Sequence, residues 1–329
     1  MYISVVIPLY NKQKSIAATL QSVFAQSYTH YEIIVVDDGS TDESASIVEE
    51  LLASPKSSPK GKDLNTEENF PSLQGGVGGR LIRKANGGVC SARNRGIQEA
   101  QYDYIALLDG DDLWDEHYLE EQVRLMQDFP EAKMWGVNFA EMCNGEISRK
   151  LPTGLPDGYR GYVENYFQMA GRISDLYCSS SVVIRKDVFN RVGYFDERIK
   201  YAEDNDMWFR IIARYQVVFY DRYMAFYQFD AENRALNKPI LLKNFLPYYV
   251  DKYRDFKDNQ VFYIWINRWA ANHIRLYYFG DIIGQQADAK VAVKKLDYSV
   301  IPTKYQFLYG MPYPIACVLN KLDKWYHKR

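Results

Sequence analysis

Three short apolar runs, Ile3–Ile7, Ile33–Val36 and Tyr104–Leu108, set the frame of this chain. None alternates with polar residues as a strand facing water does, so each reads as a strand buried on both faces of a sheet. Helical spacing separates them: Ile16, Leu20, Val23 and Phe24 follow the first run, and Ile47, Val48, Leu51 and Leu52 follow the second. Strands alternating with helices imply crossover connections and a mostly parallel sheet, an α/β fold. Pro8 is expected to stop the first strand. Ser40 with Glu43 has the spacing of a capping box ahead of the second helix.

Further along, a Gly-rich turn (Asn86-Gly87-Gly88) leads into a helix from about Ser91. A helix over about 118–129 and a strand over about 134–139 follow. Residues 140–200 show no clear period, a helix starts near Asp206, and after about 236 the pattern is helical and aromatic. Residues 53–79 break the alternation with Ser, Pro, Gly and charge, the composition of a flexible insert. As a helix-to-strand connection, the insert belongs on the sheet edge remote from the ligand crevice. The chain divides on this reading into an α/β domain, 1–220, and an aromatic helical region, 221–329.

A net charge of −2 gives no global basic field for nucleic acid. Cys90, Cys143, Cys178 and Cys317 are far apart and form no CxxC pair, which argues against a zinc site or a disulfide framework and for a reducing compartment. The first residues lack a basic region and run straight into an apolar strand, unlike a signal peptide. With no uninterrupted apolar stretch of roughly 18 residues, any membrane contact is expected to be peripheral and the location cytoplasmic.

Acids end two of the strands. Asp37-Asp38 follows the second run and Asp109-Gly110-Asp111-Asp112 the third, while Glu203-Asp204-Asn205-Asp206 precedes a helix. Ligands of open α/β sheets bind at the carboxyl ends of strands. Carboxylates one residue apart on a turn can hold Mg2+ or Mn2+, hard cations that take oxygen ligands and neutralise a diphosphate leaving group. The same turn can equally be a solvated loop or a helix start. Asp37 or Asp38 can accept the imide N–H of uracil or bond a ribose hydroxyl. Capping the next helix is their other use, but Ser40 or Thr41 can serve there, leaving both aspartates to a ligand. Glu203, Asp204 and Asp206 also suit the first turn of a helix, where the dipole favours acids. Trp208 can stack on an acceptor sugar or pack in the core. His30, His117, His273 and His327 match no nucleophile or zinc motif, and His117 reads as a helix-surface residue.

In this order, SVVIPLYN, VVDDGSTD, NGGVCSARNRG, LLDGDD-x-W and Glu203-Asp204-x-Asp206-x-Trp208-x-Arg210, the motifs resemble the family 2 glycosyltransferases of the GT-A fold over about residues 1–215. The resemblance implies a Rossmann-like sheet and a metal-dependent, inverting transfer of a sugar, by default a hexose, from a UDP-linked donor to an acceptor hydroxyl. By position, Pro8 and Tyr10 match the nucleobase loop, and Asp38, with Asp37 beside it, matches the base-binding acid. Gly88 and Arg93 match the region near ribose and diphosphate. Asp111 matches the metal ligand of the Asp-x-Asp motif with Asp109 as its partner, and Asp204 matches the general base. The implied cofactor is a divalent metal, Mn2+ or Mg2+. A saccharide or lipid-linked saccharide in cell-surface polysaccharide or glycolipid synthesis is the implied acceptor.

Two other classes compete. A nucleotidyltransferase should carry a Gly-rich loop after the first strand, and PLYNKQKSI has no glycine there. A nucleotide-sugar-binding protein on the same fold should lack Asp111 or Asp204, and both are present. The last segment, PIACVLNKLDKWYHKR, combines Ile315, Val318, Leu319 and Leu322 with Lys321, Lys324, Lys328 and Arg329, a basic amphipathic pattern that fits an anionic membrane surface or a helix docked on the domain with a solvated tail.

Overall fold

The computed structural model describes residues 1–53, 72–73, 77–149, 154–169, 176–233, 239–280, 282 and 284–326. Most of the expected insert and the basic end of the chain lie outside the described residues. The chain forms two units, residues 1–197 with 204–237, and residues 198–203 with 238–329.

In chain order the first unit carries β1 (Ile3–Leu9), α1 (Ile16–Phe24), β2 (Tyr31–Asp37), α2 (Ser44–Ala53), β3 (Ser72–Leu73), β4 (Val77–Arg83), α3 (Val89–Glu99), β5 (Tyr104–Leu107), β6 (Leu113–Trp114) and α4 (Tyr118–Asp128). It continues with β7 (Met134–Cys143), β8 (Glu146–Arg149), β9 (Arg160–Tyr162), α5 (Tyr166–Met169), β10 (Val182–Arg185), α6 (Asp187–Val192), α7 (Glu203–Ile212) and β11 (Val217–Gln228). Among the described residues the strands line up β3-β4-β2-β1-β5-β10-β7-β11-β6, with β8 on β7 and β9 on β11. The β4-β2-β1-β5 block is parallel, as the sequence implies. β10 then runs antiparallel to both β5 and β7.

Every residue of β1 and β2 is buried, as continuous β-branched runs require. β1 does not stop at Pro8: the strand runs to Leu9, with Pro8 opposite Val36. The Leu9 carbonyl accepts from Asp38 N–H on the β2 side, so Pro8, one residue earlier, points its missing N–H toward β5. β5 ends at Leu107, opposite Val6, so the proline costs the ladder almost nothing. α3 packs against these strands at Gly96, where a Cβ would stand 2.3 Å from Val6 Cγ1. A side chain there would push the helix off the sheet.

α2 starts at Ser44 without the expected capping box. Asp42 Oδ1 accepts from Ser44 N–H at 3.0 Å, while Ser40 Oγ accepts the Asn11 amide instead. The irregular stretch 140–200 contains β10, a central strand with no period-2 signal because successive residues Val182, Val183 and Ile184 are all buried. The sequence division at 220 falls inside β11, whose pairing with β7 and β6 carries it on to Gln228.

The second unit is helical. 3-10 segments Leu242–Asn244 and Leu246–Phe256 precede α8 (Gln260–Tyr278), α9 (Gln286–Val293), α10 (Thr303–Gly310) and α11 (Tyr313–Tyr326). Asn259 caps α8 by accepting from Phe262 N–H. The core joins Ala270, Ile274, Tyr277 and Tyr278 of α8 to Ala289 and Val293 of α9. Beside it the His273 ring lies 4.2 Å from Trp269 between centroids, its Nδ1 2.8 Å from the Trp269 carbonyl. Among the described residues no helix is long and apolar enough to cross a membrane.

Burial lowers the His273 pKa. A group whose folded pKa is depressed contributes stability present above its unfolded pKa of about 6.5, lost as pH falls through the folded value. Thermal melts at about pH 7.5 and about pH 5.5 should therefore show a drop in wild type that His273→Phe reduces. An equal drop in the variant would assign the loss to other groups.

Candidate active site

The loop after β1 is zipped to the loop after β2. Asn11, at φ 51°, donates its N–H to Ser40 Oγ (3.0 Å) and accepts from Thr41 N–H through Oδ1 (2.8 Å). Lys12 N–H donates to Ser44 Oγ at 2.7 Å, and Gln13 N–H to Asp42. These bonds fix the backbone between Pro8 and Ser15 beside the carboxyl end of β2. Tyr10 stays 38% exposed.

Asp37 and Asp38 are buried, and neither is left without partners. Asp37 Oδ1 accepts from Ser40 N–H at 2.9 Å and so shapes its own turn. Asp38 Oδ1 accepts from Gly87 N–H (2.9 Å) and from Lys84 Nζ (2.5 Å), and its Oδ2 from Gly88 N–H (2.7 Å). The expectation that Ser40 or Thr41 frees both acids fails because the Gly-rich turn needs an acceptor for its amides. Gly88 has φ 91°, a left-handed conformation suited to glycine, and α3 begins directly after it, at Val89 rather than Ser91.

Beyond β5, Asp109 accepts from Arg93 Nη2 through both oxygens, at 2.7 and 3.0 Å. Arg93 is 2% exposed and lies over the Phe195 ring, so it is a buried ion-pair partner and not a helix-surface residue. Asp111 Oδ2 lies 2.5 Å from Lys12 Nζ, which also donates to the Glu232 carbonyl. Burial and the neighbouring Asp109 raise the Asp111 pKa against the opposing pull of Lys12. Asp112, fully buried, accepts from Ser180 Oγ (2.5 Å) and Gln228 N–H (3.2 Å). With these neutral donors in place of a cation, its carboxyl is pushed well above the usual range by burial and by Asp111 and Asp109. Gly110 lets the turn pass β1, since a Cβ there would stand 3.0 Å from the Pro8 carbonyl.

Asp204 lies in the first turn of α7, and its Oδ1 accepts from Asn205 N–H. The chain leading toward it is tied down twice. Asn94 of α3 exchanges hydrogen bonds with the Phe195 backbone, and Arg210 donates to the carbonyls of Val192, Gly193 and Tyr194. Asp206, with no exposure, holds Arg210 at 2.8 Å and is therefore structural. Trp208 is 1% exposed and meets Phe195 edge-on, which removes it as a stacking surface for a sugar. Burial raises the Cys178 thiol, as do the charges of Asp112, Asp109 and Asp204. His117 is a surface residue beside Glu120 and Ser27.

Among the participants that escaped the sequence reading are Lys12, Ser180, Gln228 and Glu232. Glu232 accepts from Lys14 N–H and Ser15 Oγ, closing the segment after β11 onto the loop after β1. Only Lys12 carried a signal, a cation in a strand-end loop facing acids on the next strand end.

A parallel sheet whose strand ends gather acids, glycine amides and cations defines a ligand-binding α/β protein. The chain belongs to glycosyl transferase family 2, whose model matches residues 4–193. It is 26% identical over 244 residues to an uncharacterized glycosyltransferase of Rickettsia typhi, covering 72% of this chain and 67% of that one. It is 30% identical over 211 residues to the amylovoran biosynthesis glycosyltransferase of Erwinia amylovora, covering 63% and 62%. The chain spans 31% of the length of two further Rickettsia relatives. Its fold is shared with TarS 1-349 of S. aureus, solved in complex with UDP-GlcNAc: TM-score 0.65, 16% identity, 100% of this chain and 92% of that one.

Asp38→Ala would strand two amides and an ammonium at a nearly closed position. Urea unfolding should show a loss of about 2–4 kcal/mol, discounted for the partial exposure of Lys84. The exposed pair Arg83–Glu49 supplies the contrast: Glu49→Ala should cost under about 1 kcal/mol. Equal costs would contradict the structural weight given to Asp38.

Proposed function

We propose that this chain transfers a hexose from a UDP-linked donor to an acceptor hydroxyl, with inversion, in the assembly of a surface polysaccharide or glycolipid. The observation that carries the reading is the convergence of Asp38, Asp109 and Asp111 with the loop Pro8–Ser15 and the Gly87–Gly88 turn at one sheet edge. The UDP-GlcNAc complex of TarS supports the donor class, and the amylovoran relative supports the polysaccharide setting.

In this reading Tyr10, held out from the loop that Pro8 begins, covers the nucleobase. Asp38 accepts a base N–H with capacity left beyond its three present donors, and Asp37 keeps the turn in shape. Gly88 and Arg93 border the ribose and diphosphate. Among the described residues no group of three His, Cys, Asp or Glu side chains forms a metal cage. Asp111, with Asp109 as its partner, would hold a hard Mn2+ or Mg2+ ion, which prefers such oxygen ligands. Such an ion, when bound, supplies positive charge to the departing diphosphate. Asp204 accepts the acceptor hydroxyl proton as that oxygen bonds to the anomeric carbon. The carbon–oxygen bond to the diphosphate breaks in the same step and leaves its electron pair on the nucleotide. No protein nucleophile is needed.

The test is a panel of nucleotide sugars with and without Mn2+, read by calorimetry and by nucleotide release. Asp111→Asn should lose metal-dependent donor binding, whereas Asp204→Asn should bind the donor and lose turnover by about 10²–10⁴-fold. Near wild-type turnover in Asp204→Asn would remove it as the base and bring Glu203 forward. Lys12→Met removes the resident cation from Asp111 and should tighten Mn2+ binding to the donor-free protein; weaker binding would show that Lys12 helps to build the site.

A further inference from the structure

The second unit ends in α10 and α11. Ala316 and Asn320 of α11, four residues apart, are buried, so the helix docks by the face they share. Ile315, Val318 and Leu319 stand on a different face at spacings of three and four. They are exposed by 54%, 58% and 36%, and Phe307 of α10 by 67%. A helix that seats one face and leaves an aliphatic stripe in water presents an interaction surface.

Charge selects the occupant. Residues 302–329 contain Lys304, Lys321, Lys324, Lys328 and Arg329 against the single acid Asp323, in a chain whose net charge is −2. A second copy of this basic end would be repelled, whereas an anionic lipid surface matches both the charge and the apolar stripe. The sequence adds Trp325 and Tyr326, residue types that settle at headgroup level. We propose that α10 and α11 form an interfacial docking element for anionic lipid, with Ile315, Val318 and Leu319 entering the boundary between headgroups and acyl chains. The helix lies in the interface plane and binds reversibly. Nothing in this inference depends on the reaction proposed above.

The test is co-sedimentation of the full chain with phosphatidylcholine vesicles with and without phosphatidylglycerol. Binding is expected to the anionic vesicles only and to weaken as salt screens the surface. Lys321→Gln with Lys324→Gln should weaken it at least about tenfold, at about fivefold per lysine. Ile315→Ser with Val318→Ser should abolish it while the thermal melt stays at the wild-type value, as expected for exposed positions. Three results overturn the proposal: no binding to anionic vesicles, unchanged binding by both double variants, or a self-association in sedimentation velocity that Ile315→Ser with Val318→Ser dissolves. The last would show that a second copy covers the stripe.

Discussion

The strand-end carboxylates can be gathered at one sheet edge only because each is met by donors from elsewhere in the chain. Asp38 draws in the Gly87–Gly88 amides and Lys84, Asp109 draws in Arg93, and Asp111 draws in Lys12. Asp112 receives Ser180 and the Gln228 amide. Ionised carboxylates without partners in so little solvent would each cost several kcal/mol. The partners come from the loops after β1 and β4, from α3, from the segment before β10 and from the end of β11. The requirement to compensate charge thus organises loops that the sheet alone would leave independent.

This dependence also explains what could be read from the sequence. β1, β2 and β5 announce themselves because strands buried on both faces need continuous aliphatic runs, and the parallel order follows from the helices between them. β10 does not. Val182–Arg185 is a short run whose strand character comes from β5 and β7 on either side, sequence-distant partners that no local pattern records. Pro8 misleads for a related reason: its cost depends on which flank its missing N–H faces, and β5 ends where that bond would fall.

At the site, the acids were legible and their partners were not. A carboxylate at the end of an aliphatic strand stands out even where a turn or a helix start would also account for it, whereas Lys12, Ser180 and Gln228 are ordinary residues made special by position. Arg93 shows the limit plainly. The resemblance gave it a position near ribose and diphosphate, and the fold gives it a buried acid and the Phe195 ring. Trp208 was open between sugar and core until α7 was seen to pack it against Phe195. The capping box at Ser40 failed because a hydroxyl can hold one loop amide or another, and Asn11 is the one it holds.

The same compensation bears on how an anionic ligand can enter. In the reaction proposed above, a diphosphate approaching this edge would meet carboxylates, which repel it, and cations already committed to those carboxylates. Binding would then be an exchange of partners more than a filling of empty space. Lys12 is the natural pivot, because its ammonium joins Asp111 to the Glu232 carbonyl, and Glu232 in turn holds Lys14 and Ser15. Releasing Lys12 from Asp111 would loosen the segment after β11 and the loop after β1 together. Asp111, Lys12, Glu232, Lys14 and Ser15 are therefore joined through one short chain of hydrogen bonds, and in the proposed reaction a ligand that brings its own cation would take the place of Lys12 at Asp111.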